Sequence, residues 1–307
     1  MEKEKSRLVV WGTLVLLAFV WGSSFILMKV SLFDSSREVV YSALEVAALR
    51  ITIAGVVLLP VSIRHLKRIK RSQWLPLLAI GTLGNMLPAY LFSSAVTEIP
   101  SAIAGMLNAL TPLFTMIVAA LVFHTVVSKR QFSGLVIGFM GALLLAIGGG
   151  GLSNVNVDIE WWACGRVALA TLLYGISVNI LKNKLQDVSS TAIAAIALLL
   201  VTPPAIFVVV TSDVGSTLVN NDHGVTGMVA VAVLAAIGTA GALIIFNNLI
   251  KWTDALTASS VTYILPLFAA MWGWLDGEVL TVIHFAGGAI ILFGVALVNG
   301  VGKSVKS

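Results

Sequence analysis

Ten apolar runs, each of about 20 residues, constrain the fold of this chain more than any motif does. They lie at roughly 8 to 29, 46 to 63, 74 to 96, 100 to 123, 132 to 149, 161 to 181, 190 to 211, 226 to 250, 256 to 275 and 282 to 300. In lipid a helix satisfies its own backbone N–H and C=O groups, and about 20 residues cross the ~30 Å of hydrocarbon. Of 307 residues, 58% are hydrophobic and 11% charged, far from the balance of a soluble domain. The sequence therefore predicts an all-α integral membrane protein of ten transmembrane helices with short loops. No soluble catalytic domain fits between the spans. The first run lacks a convincing small-residue cleavage site and reads as a retained helix.

The net charge of +5 is topological. Fifteen of the 19 Lys and Arg residues fall on one side: Lys3, Lys5 and Arg7, then Arg64 to Arg71, Lys129 and Arg130, Lys182 and Lys184, Lys251, and Lys303 and Lys306. Lys29 and Arg37 fall on the other, while Arg50 and Arg166 lie within spans. The positive-inside rule puts both termini in the cytoplasm and the chain in the cytoplasmic (inner) membrane as a multi-pass protein. The basic excess needs no nucleic acid to explain it. Cys164 is the single cysteine, and His65, His124, His223 and His284 are scattered without ligand spacing, so neither a metal site nor a cofactor is expected.

The chain repeats itself. "VWGSSFILMK" (20 to 29) aligns with "LYGISVNILK" (173 to 182), and "AIGTLGNMLP" (79 to 88) with "AIGTAGALII" (236 to 245). "ALTPLF" (109 to 114) aligns with "YILPLF" (263 to 268), and "FSGLVIGFMG" (132 to 141) with "FAGGAIILFG" (285 to 294). Five spans per copy is an odd number, so the second copy enters the membrane from the opposite side, the inverted-repeat plan of secondary transporters. The expected units are 1–149, a linker over 150–160, and 161–307. The Gly-rich linker lacks the Lys-Ser/Thr of a phosphate loop.

Polar groups inside the spans mark the candidate site. Pro112 cannot donate to the carbonyl of Asn108, nor Pro266 to that of Thr262, and both prolines fall near mid-membrane. Two loosened carbonyls at matching repeat positions suggest a cavity, against the plainer reading of two kinks whose carbonyls are satisfied by neighbouring groups. Trp21 and Ser24 share a face of the first span, as Tyr174 and Ser177 do of the sixth. Gly22 and Gly175 read as packing positions. Asn85 with Pro88, and Asn247, are further candidates. None of the 14 acidic residues lies in mid-span, so no carboxylate proton relay is evident. Arg50 is open to three readings: a functional cation, a side chain snorkelling outward, or a partner of Glu45. Lys29 reads as an interfacial anchor, and with no cation that must lie deep, a neutral or zwitterionic cargo fits better than a strongly anionic one.

The "WGSSF" of the first span, "ASSVTYILPLFAAMWGWLDGEVLT" (258 to 281) and "HFAGGAIILFGVAL" resemble the EamA-like branch of the drug/metabolite transporter superfamily, over essentially the whole chain. The resemblance implies ten helices, alternating access and export of amino acids or other small metabolites, without fixing the cargo. One departure is that Thr125 stands where the second half has Glu278. Helices 1, 3, 4, 6, 8 and 9 are expected to line a central cavity. Trp21, Tyr90, Tyr174, Phe246 and Tyr263 would form aromatic walls. Ser24, Asn85, Asn108, Thr111, Ser177, Asn247 and Thr262 would supply hydrogen bonds, with Pro88, Pro112 and Pro266 as kinks. The expected partners are a small-molecule substrate and the bilayer, with the chain acting as a monomer or a homodimer. Alternatives are a nucleotide-sugar or sugar-phosphate antiporter, marked by Lys or Arg in the cavity; a channel; and a membrane-embedded enzyme, for which the spans offer no catalytic constellation.

Overall fold

The computed structural model describes residues 7–124, 128–148, 161–252 and 261–299, nearly all of them helical. The expected linker over 150–160 and Thr125 lie outside these residues. In chain order the long helices are α1 (Arg7–Leu32), α2 (Ala43–Leu66), α3 (Arg71–Val96), α4 (Ser101–Phe123), α5 (Lys129–Gly148), α6 (Trp161–Lys184), α7 (Ser190–Thr211), α8 (224–252), α9 (Val261–Leu275) and α10 (Val282–Asn299), with a short helix, Val214–Asn220, between α7 and α8. Seven of them, α1 to α4 and α6 to α8, are long and apolar enough to cross a bilayer. Among the described residues there is no strand, only an isolated bridge between Phe33 and Val39. Large apolar side chains such as Trp11, Val122, Phe207, Val210 and Phe293 stay more than half exposed, the surface of a protein solvated by lipid.

Local sequence sets the helix ends. Ser42 and Glu45 form a reciprocal capping box at the start of α2, so the Glu45 carboxylate is occupied by the Ser42 backbone N–H. Ser189 accepts from the Ala192 N–H ahead of α7. Inside the membrane layer α3 and α8 each contain a π-helical turn, Thr82–Met86 and Ala236–Gly241, within the blocks that align between the two halves. Each turn has one polar side chain bonding back five residues: Asn85 Nδ2 to the Ile80 carbonyl (3.1 Å) and Thr239 Oγ1 to the Leu234 carbonyl (3.2 Å). Such turns widen the backbone and leave carbonyls for other donors, a frequent feature of functional sites.

The packing pairs exchange when the halves are exchanged. α1 packs on α9 and α8, as α6 packs on α4 and α3, while α2 packs on α7 and α5 on α10. The two glycines read as packing positions sit at close helix crossings. A Cβ on Gly22 would lie 2.6 Å from Phe268 Cβ, and one on Gly175 would lie 2.8 Å from the Thr115 backbone nitrogen. Without a hydrophobic drive between helices in lipid, such close approach supplies the association energy through van der Waals contact.

Candidate functional site

The repeat-related crossings leave a cavity of about 160 Å³ in the middle of the bundle. Of the residues singled out from the sequence, Trp21, Ser24, Asn85, Asn108, Thr111, Pro112, Tyr174, Ser177, Phe246, Asn247 and Thr262 all line it. One expectation needs correction. Tyr90 is 42% exposed and does not line the cavity, because five residues after the lining Asn85 it falls off the three- and four-residue spacing of one helix face. Pro88 and Pro266 are buried between helices without lining it. Tyr263 lies on α9, and its side chain lies outside the described residues.

Aromatic rings wall the space. Trp21 meets Phe246 edge-on at 5.0 Å between centroids, Phe25 meets Phe92 at 5.6 Å, and Phe92 stacks on Tyr174 at 5.9 Å. The Trp21 indole N–H donates to the Gly238 carbonyl inside the α8 π-turn (3.1 Å), so the turn fixes the ring across the cavity. Ser24 returns its hydroxyl to the Val20 carbonyl (3.0 Å), and Asn247 exchanges hydrogen bonds with Ser190 at the start of α7.

The Asn108 carbonyl is not loose. Pro112 leaves it without its helical donor, but a 3₁₀ turn over Asn108–Leu110 brings the Thr111 backbone N–H onto it, and the Thr111 hydroxyl donates to it at 2.8 Å. The local chain therefore satisfies the carbonyl, and α4 presents Asn108, Thr111, Pro112 and Thr115 to the cavity.

Sequence reasoning left Arg50 undecided, and the structure turns it inward. Its Nε donates to Thr239 Oγ1 at 2.8 Å across the α2–α8 contact, and it lines the cavity. It neither snorkels outward nor pairs with Glu45, which is held in its capping box. The cavity therefore holds a cation that the sequence did not require there. α2 and α7 also contribute to the wall, through Arg50 and through Ile193, Ala194 and Ala197. Thr239 and Thr115 are further polar lining residues that reasoning from sequence missed. The repeated "AIGT" around Thr239 was visible, but nothing in the sequence tied it to Arg50. Of the other three cations, Arg166 pairs with Glu98, Lys182 is exposed, and Lys29 joins an ion cluster at one end of the bundle.

That cluster corrects the anchor reading of Lys29. Its ammonium lies 2.5 Å from Asp276 and 2.9 Å from Glu278, both in the turn after α9. The Glu278 carboxylate, fully buried, also accepts from the Ser101 N–H and hydroxyl (3.0 and 2.8 Å) and the Ala102 N–H (3.0 Å), capping the start of α4. Burial opposes ionisation of Glu278, but these hydrogen bonds and the Lys29 charge outweigh it and hold its pKa below the ordinary carboxylate value. Phe25, Met28 and Phe92, all nearly inaccessible, line the cavity, and Met28 is the chain neighbour of Lys29. On α6, α7 and α9 the lining residues fall in the halves away from the cluster, while on α1 they run up to Met28.

The chain matches the EamA-like transporter family twice, over residues 10–147 and 161–300. The chain belongs to the EamA-like transporter family. This EamA-like protein is accordingly a multi-pass membrane transporter. It is 26% identical to the uncharacterized inner membrane transporter YedA of Escherichia coli (strain K12), over 96% of this chain and 92% of that one. It is 29% identical to an S-adenosylmethionine/S-adenosylhomocysteine transporter of Chlamydia muridarum, covering 84% and 81%. A third relative, a "Probable terminal-alkyne amino-acid exporter" of Streptantibioticus cattleyicolor, is 23% identical over 94% and 93%. A protein of known crystal structure superposes with a TM-score of 0.60 over 94% of both chains at 17% identity, a likeness of fold.

Proposed function

We propose that this EamA-like protein is a secondary, non-ATP carrier of the inner membrane that exports small neutral or zwitterionic metabolites, amino acids among them, by alternating access. In this reading ten helices span the membrane as two inverted five-helix repeats with cytoplasmic termini, and the matched segments 10–147 and 161–300 support that division. The lining residues Trp21, Asn85, Asn108, Tyr174, Phe246 and Thr262 bind the cargo, apolar parts against the rings and polar parts against the amides and hydroxyls. The observation that carries the proposal is the mid-bundle cavity, and this reading takes the buried cluster of Lys29, Asp276 and Glu278 as the seal of one end. With the termini in the cytoplasm, that end is external and the state described is closed to the outside. A carrier has a second state in which this seal opens and the other end closes.

The relatives support amino-acid-like cargo. One is named for an amino acid, the other for molecules that carry an amino-acid group. The antiporter reading gains from Arg50 but needs more positive charge, because a sugar phosphate or nucleotide diphosphate is at least a dianion and Arg50 is the only Lys or Arg among the described lining residues. The test is uptake of labelled amino acids by liposomes holding the purified protein. Saturable uptake supports the carrier, whereas its absence for amino acids alongside saturable uptake of a sugar phosphate supports the antiporter.

A further inference from the structure

Arg50 is the eighth residue of α2, about 10 Å inside its first residue at the helical rise, and its side chain is turned into the cavity. The guanidinium is held rather than free to swing. Thr239 spends its own proton on the Leu234 carbonyl, so its oxygen is left to accept from Arg50 Nε. The two Nη groups hydrogen-bond to no described residue, and the described residues offer Arg50 no carboxylate partner. A buried charge without a counter-ion is costly, and a guanidinium locked at Nε presents two parallel N–H donors suited to a bidentate carboxylate. The rings of Trp21, Tyr174 and Phe246 line the same cavity, and among the described residues no Asp or Glu lines the wall to hold an ammonium by charge.

We propose that Arg50 is the anchor for the carboxylate of the cargo, which is a small monocarboxylate with an aromatic or branched apolar body. The proposal rests on the carrier reading above and adds a charge requirement to it: the carboxylate is recognised by charge, so monocarboxylate anions join the zwitterions as cargo, whereas an α-amino group meets amide and hydroxyl oxygens and is tolerated rather than required. A second negative charge would have no cation to meet.

The test is binding to the purified full-length protein in nanodiscs, followed by tryptophan fluorescence and calorimetry. The probes are L-phenylalanine, L-leucine, phenylacetate, L-phenylalanine amide and phenethylamine. The acids should bind at least ~10-fold more tightly than the amide or the amine, the scale of one charge-assisted bidentate contact. Phenylacetate should bind within a few-fold of L-phenylalanine. Arg50→Gln should abolish the preference for acids, and Thr239→Val, which leaves the charge but unlocks Nε, should weaken acid binding while keeping some preference. Thermal unfolding of each variant with Arg50→Lys as control separates loss of folding from loss of recognition. Equal binding of acid and amide by the unaltered protein, failure of every acid to bind, or a preference for acids that survives Arg50→Gln overturns the assignment. Saturable liposome uptake of the amide or the amine would then leave the carrier reading standing without the anchor.

Discussion

Lys29 at the end of α1 and Glu278 after α9 lie 2.9 Å apart, with Glu278 at the same time capping the first turn of α4. One carboxylate thus ties three elements at one end of the bundle. The aligned position in the first half is Thr125, and Lys182, the counterpart of Lys29, is exposed. Breaking a buried pair by removing one charge costs about 3 kcal/mol, because the other charge is left uncompensated. Glu278→Gln should therefore open this end more often. In a Cys164→Ser background, a cysteine at Met28 should react ~10-fold faster with a membrane-impermeant thiol reagent added from that side, a change that takes little over 1 kcal/mol of the seal. An unchanged rate would remove the seal from the account.

The acid dependence of the same seal has a definite sign. The pKa of Glu278 is lowered by folding, so its stabilisation is fully present above the ordinary carboxylate value and is lost only as pH falls through the lowered one. The Met28 cysteine should label at a constant rate, corrected for reagent chemistry, between about pH 8 and pH 5. Acceleration already near pH 6 would mean that Glu278 is not held as described.

The two crossings should be intolerant of bulk. Gly22→Val and Gly175→Val force side chains into the backbones of α9 and α4, and each should cost about 1–3 kcal/mol, read as a lowered unfolding temperature in detergent. The same change at Gly12, where nothing lies within 4 Å of an added Cβ, should be nearly silent.

In α4 the hydroxyl and the amide have separable roles. Thr111→Val removes a donor from the Asn108 carbonyl and should lower stability by about 1 kcal/mol. Asn108→Ala should lower transport while leaving the unfolding temperature near normal, since its side chain faces the cavity. Equal loss of folding in both would return α4 to a packing role.

Much of this was legible in the sequence, because lipid leaves few ways to place a polar group. An asparagine or tyrosine in mid-span must face protein or a cavity, and Asn85, Asn108 and Tyr174 do. What escaped was set by long-range geometry. Arg50 could have turned three ways, and its choice depends on a π-turn 189 residues away that offers Thr239. Tyr90 was taken for its ring alone, and it stands five residues after Asn85, off the lining face that Phe92, seven residues after, shares. The Asn108 carbonyl looked loose because a 3₁₀ turn and a threonine hydroxyl three residues on are not readable from the proline alone.

Counterflow tests alternating access most directly. Proteoliposomes loaded with unlabelled L-phenylalanine and diluted into a trace of the labelled form should accumulate label transiently above its equilibrium level, because a carrier exchanges cargo faster than it returns empty. Label that only rises to equilibrium, at a rate that never saturates, would show a pore and contradict the carrier.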